Sequence, residues 1–168
     1  MTKPNAEMID PKEAGARRLN LKSPIFDAET LSRVDSALEE MSGSFREWLD
    51  EEIDKLHAAQ TAAFEAQWSF DSLNRLWGVA HDLKGVAGMY GYPLITQFAA
   101  SLCRLLDTDK GKAAAQASPN LIKAHCDAIR VAARDEIKTE SEPLGGQVLR
   151  MLEESVAALD LDERDPES

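Results

Sequence analysis

The sequence predicts an all-α fold, an antiparallel up-and-down four-helix bundle with additional N- and C-terminal helical segments. Three observations carry that expectation. Leucine and alanine are abundant while aromatic and β-branched residues are sparse, a balance that favours helix through propensity and side-chain entropy. Apolar residues recur at steps of three and four in successive segments, and no period-two strand pattern competes. Glycine and proline separate those segments, and the short connection at Gly91 and Pro93 makes the two helices it joins antiparallel neighbours.

Each element has its own signals. Residues 1–26 hold Pro4, Pro11, Gly15 and Pro24 among mixed charges and few large apolar side chains, and read as a mobile tail. A first helix is expected from an N-cap at Asp27 to about Met41, with Leu31, Val34 and Leu38 on one face and Gly43 as its punctuation. Ser44 with Glu47 fits a capping box for a second helix through Leu49, Ile53, Leu56 and Ala63, which either bends from the first or stacks on it. The Ser69–Asp71 caps open a third helix whose stripe is Leu73, Leu76, Ala80, Leu83, Ala87 and Tyr90, ended by Gly91.

Pro93 suits the first turn of a fourth helix bearing Ile95, Phe98, Leu102, Leu105 and Leu106. Ser118 and Pro119 open a fifth, which carries Leu121, Ile122, Ala128, Ile129 and Ala132 to about Lys138. Pro143, Gly145 and Gly146 read as a break before a last helix with Val148, Leu149, Leu152, Val156 and Leu159. The expected organisation is therefore a tail at 1–26, a bundle at 27–140, an accessory helix at 141–160 and an acidic tail at 161–168. A monomer is expected, although an exposed apolar strip on the last helix would offer a pairing surface.

Composition narrows the function. A formal charge of -11 argues against nucleic-acid binding, which needs clustered cations. No apolar run approaches a membrane span and no apolar signal core opens the chain, so a cytoplasmic protein without membrane attachment is expected. Cys103 and Cys126 are the only cysteines and form no CxxC, leaving neither a disulfide framework nor a cysteine metal site. His125 and Cys126 are consecutive on a helix and diverge by about 100°, so they form no chelate. No metal site is expected.

The third helix holds the informative residues. His81, Lys84, Gly85 and Gly88 fall on a flank roughly 110° from the centre of its apolar stripe, which places them toward solvent. Gly78, Gly85 and Gly88 each cost about 1 kcal/mol relative to alanine inside a helix, which suggests that something must approach His81 closely. A neutral imidazole has a nucleophilic ring nitrogen, and Lys84 one turn on is placed to neutralise phosphoryl charge. Asn74 and Trp77 precede His81 by two turns and one turn and border the same face as a docking surface. Trp77 stands between that surface and the core.

The run His81-Asp82-Leu83-Lys84-Gly85-Val86-Ala87-Gly88-Met89-Tyr90-Gly91 resembles the H-x-x-K-G-x-x-x-x-x-G signature of histidine-phosphotransfer (Hpt) domains. The resemblance covers roughly residues 28–140 in organisation. It implies a surface histidine that is phosphorylated at the ring nitrogen remote from the backbone. It also implies exchange with the aspartate of a response-regulator receiver domain, or with a hybrid or simple histidine kinase, in a two-component phosphorelay. The chain itself then needs no cofactor, the receiver supplies Mg2+, and no autonomous enzyme activity is expected. A histidine-kinase dimerisation segment is the competing reading, disfavoured because its helix-kinking proline is missing before Pro93 and no ATP-binding domain follows. A helical adaptor that is never phosphorylated is the other.

Overall fold

The computed structural model describes residues 27–161, so the expected 1–26 tail and all but the first residue of the 161–168 tail lie outside the described residues. Six helices are present among the described residues, and no strand: α1 Ala28–Glu65, α2 Phe70–Val86, α3 Pro93–Leu106, α4 Asp109–Ala117, α5 Asn120–Arg134 and α6 Pro143–Ala157.

The described residues divide into two compact units, one up to Met41 and one from Ser42 onward. In the first, the Asp27 carboxylate accepts from the Thr30 amide at 2.7 Å and caps α1. Leu31, Val34, Leu38 and Met41 are exposed there. Gly43 does not end a helix. It lies inside the 38-residue α1, as do Ser44 and Glu47, so the expected separate first and second helices are one. A mid-helix glycine costs only about 1 kcal/mol, less than a new pair of helix ends with unpaired backbone groups.

The second unit holds the bundle. Leu49, Leu56 and Ala63 of α1, the Leu73-Leu76-Ala80-Leu83 stripe of α2, most of α3, and Ile122, Cys126, Ile129 and Ala132 of α5 share one core. α1 gives way to α2 without any glycine. Gln67 and Trp68 take left-handed φ values of 51° and 57°, and the Trp68 amide donates back to Ala63 at 2.7 Å. That conformation costs about 1–2 kcal/mol per non-glycine residue, and burial of the Trp68 side chain offsets it. Ser69 then caps α2.

α3 is the central helix, packed on α2, α4, α5 and α6. Nine of its fourteen residues are buried, which is why it needs cover on several sides. Between α3 and α5 the sequence reading missed α4, where Thr108 accepts from the Gly111 amide at 3.1 Å and a lysine-alanine run follows. α5 starts after Pro119 and stops at Arg134 rather than near Lys138.

Gly145 and Gly146 are not a break either. Both are buried in the first turn of α6, where a Cβ on Gly145 would stand 2.6 Å from Leu94 Cδ2 and one on Gly146 would collide with the Glu140 carbonyl oxygen. The glycines let α6 seat closely, and Leu149, Leu152 and Val156 enter the core. The strip considered as a pairing surface is therefore largely covered within the chain. Gly146→Ala is expected to lower stability by about 1–3 kcal/mol, because backbone rather than a flexible side chain must move. A thermal or urea midpoint equal to the wild type would contradict this packing.

One polar pair crosses the core. His125 Nδ1 lies 2.7 Å from the Leu121 carbonyl oxygen and Nε2 lies 2.9 Å from Ser101 Oγ. A carbonyl only accepts, so Nδ1 carries the proton and Nε2 accepts from the serine hydroxyl. Burial pushes the His125 pKa down, against the opposing pull of the Leu121 bond. The unfolded chain takes up this proton at about pH 6.5, the folded chain only at lower pH. The stability from neutral His125 is thus complete above that pH and lost as pH falls through the folded value. The unfolding midpoint should fall between pH 7 and 5, and His125→Leu should flatten that fall. An unchanged slope in the variant would show that other groups govern it.

Candidate functional site

α2 presents two faces, as its sequence pattern requires. Leu73, Leu76, Ala80 and Leu83 are fully buried, with Ala87 just beyond the helix, while His81 is exposed on the opposite flank. Asn74 and Gly85 are exposed beside it, and Trp77, Gly78 and Lys84 are half-buried. These positions recur at three and four residues, so α2 brings them together on one strip.

Gly88 lies elsewhere in conformation, because α2 ends at Val86 and residues 87–91 form the turn. Tyr90 leaves the α2 stripe as well and stacks on Phe45 with ring centroids 4.3 Å apart. A helix-interior cost therefore applies to Gly78 and Gly85 but not to Gly88. A Cβ on Gly88 would stand 3.1 Å from Thr96 Oγ1, so its missing side chain has a packing reason inside the chain. Nothing lies within 4 Å of a Cβ on Gly78 or Gly85. Gly85→Ala should therefore stabilise the fold by up to about 1 kcal/mol, whereas Gly88→Ala should be neutral or destabilising. Chemical denaturation of the pair checks this, and the reverse order would refute the assignment.

The second wall of the site comes from α3. Trp77, His81 and Lys84 face Ala100, Cys103, Arg104 and Asp107 across an open concavity of about 300 Å³. The sequence reading missed Arg104. The hairpin itself held the signal, since His81 and Ala100 stand at comparable distances from the α2–α3 turn in antiparallel helices.

Lys84 and Arg104 form no ion pair among the described residues, although the chain has 30 acidic side chains against 19 Lys and Arg. Two cations without an ion-pair partner among the described residues thus line the same concavity as the imidazole. The Trp77 indole stacks on the His81 ring, centroids 4.9 Å apart and planes 26° apart. Burial pushes the Cys103 thiol up to about 11, with the Lys84 charge opposing and Asp107 reinforcing the shift. Cys103 is therefore a protonated thiol at neutral pH, and His81 is the accessible nucleophile of the concavity.

Among the described residues no group of three or more His, Cys, Asp or Glu side chains is arranged to hold a metal ion. No helix among them is long and apolar enough to cross a membrane. No curated protein and no solved structure matches the chain. A family model, the Hpt domain, matches residues 40–132, more than half of the chain. The match takes in α2, the turn after it, α3, α4 and nearly all of α5, and so both walls of the concavity. The chain belongs to the Hpt domain family.

Proposed function

We propose that this chain, in keeping with the general histidine-phosphotransfer role of its family, accepts and donates a phosphoryl group on His81, exchanging it with the aspartate of a receiver domain or with a histidine kinase. The observation that carries the reading is an exposed imidazole that shares one concavity with Lys84 and Arg104, neither of which has an ion-pair partner among the described residues.

In the forward step the lone pair of a His81 ring nitrogen forms an N–P bond while the aspartyl O–P bond breaks. The carboxylate leaves with the electron pair, and the proton on the other ring nitrogen stays there. Return of the phosphoryl group reverses each change. Such a transfer depends mainly on positioning and on charge neutralisation, which the cations of the concavity supply. The receiver contributes Mg2+, and this chain is a substrate for its partners rather than an enzyme alone. Gly78 and Gly85 leave room on either side of His81 for the partner's backbone, with Asn74 at the edge of the same strip.

The test is incubation with a phosphorylated receiver domain, followed by assay for acid-labile, base-stable label. His81→Gln should lose the label while keeping the thermal midpoint, since the side chain is exposed. Lys84→Ala and Arg104→Ala should each slow transfer about three- to tenfold, as a screened charge contributes about 1 kcal/mol. Label persisting in the His81 variant would move the phosphoacceptor elsewhere. Unchanged rates in both cation variants would remove them from the mechanism. Gly85→Leu should fold normally yet block transfer from the receiver, and transfer at the wild-type rate would contradict the close-approach argument.

A further inference from the structure

The imidazole of His81 has no hydrogen bond and no ion pair among the described residues, and its one ring contact there is the stack on Trp77. We infer that Trp77 is a positioning residue for the transfer step, its flat ring setting the orientation in which His81 presents its nucleophilic nitrogen. This rests on the reading of His81 as the phosphoacceptor.

An exposed histidine side chain is free to move among staggered rotamers, and only some of them aim a ring nitrogen in line with an incoming phosphorus. A hydrogen bond to one ring nitrogen would fix the ring but would occupy an edge. A stack fixes it differently. The indole covers a face of the imidazole, and the lone pair of the attacking nitrogen lies in the ring plane at an uncovered edge.

Trp77 is suited to be the fixed member of the pair. It is half-buried and packs against the bundle core, four residues before His81 on the same helix face. Its indole Nε1 is buried and has no hydrogen-bond partner among the described residues. A buried donor left unpaired is destabilising, so no hydrogen bond explains an indole at this position. What the residue supplies is the flat face turned to His81. A partner-docking contact is the alternative role for an aromatic at the edge of the site, and the two roles separate experimentally.

The full-length chain is labelled from two donors, a phosphorylated receiver domain and phosphoramidate, a small donor that needs no docking surface. With phosphoramidate the P–N bond of the donor breaks, ammonia leaves and the His81 nitrogen forms the new N–P bond. Trp77→Leu keeps bulk and loses the flat face. It should slow labelling from both donors about three- to tenfold, the scale of freeing one or two side-chain torsions, with receiver affinity unchanged. Trp77→Phe keeps a flat face and removes the unpaired N–H. It should restore the wild-type rate and fold at least as stably.

Wild-type labelling rates in Trp77→Leu would overturn the inference. So would a Trp77→Phe chain as slow as Trp77→Leu, or a loss confined to receiver affinity with phosphoramidate labelling intact, which would make Trp77 a docking contact. A wild-type chain that takes label from neither donor would overturn the phosphoacceptor reading itself.

Discussion

Gly91 sits at φ +84° between α2 and α3, and the composition of the site depends on it. Only a residue without Cβ adopts that conformation freely, and adopting it lets the Tyr92 amide donate to the Ala87 carbonyl at 3.0 Å. Pro93 follows in the first turn of α3, where its missing amide proton costs nothing. The Leu94 amide donates to the Lys138 carbonyl at 2.9 Å, and the Lys138 ammonium lies 5.4 Å from the Tyr92 ring centroid. The start of α3 is thereby fixed from two sides. Two helices leaving a turn so constrained keep one register, and that register sets Ala100, Cys103, Arg104 and Asp107 opposite His81.

The same register makes α3 serve two surfaces. One side of it contributes Leu94, Phe98, Leu102 and Leu105 to the core, while Arg104 faces the concavity. The buried Ser101–His125 pair ties α3 to α5 through groups whose hydrogen-bonding capacity is used with a single imidazole proton. α6 closes the remaining apolar side, seated by Gly145 against Leu94. The wall that carries Arg104 is consequently held by the whole second unit, whereas His81 itself is held by little beyond Trp77. Under the proposed transfer role, a firmly held wall bearing Arg104 faces a nucleophile that has to take up and release the same phosphoryl group.

How much of this was legible in the sequence follows from which interactions are local. The α2 stripe and its polar flank were, because helical periodicity alone separates Leu73, Leu76, Ala80 and Leu83 from His81 and Lys84. Family membership followed from the same short run. Glycines were read less well, since one residue type has four different causes here. Gly91 closes the turn between α2 and α3 through its positive φ, Gly43 sits in a continuous helix, Gly145 and Gly146 admit a neighbouring element, and Gly85 opens toward solvent. Only the first leaves a local signature. Arg104 was missed because its role arises from packing between helices rather than from spacing along one.

The choice among three histidines shows what the fold adds to the motif. His125 is buried with both ring nitrogens engaged, so neither its access nor its lone pair suits attack on a phosphoryl group. His57 is exposed on α1 and also has cations nearby, since it lines a small groove with Lys123 and Arg130. Those cations are already occupied. Lys123 lies over the Phe64 and Trp68 rings at 5.6 and 6.0 Å, and Arg130 pairs with Asp127 at 3.3 Å. A phosphoryl group there would have to share those cations with existing partners. His81 alone combines an exposed imidazole whose ring nitrogens make no hydrogen bond with two cations that have no ion-pair partner among the described residues. The motif marks which histidine to consider, and the disposition of charge around each one gives the physical reason for preferring it.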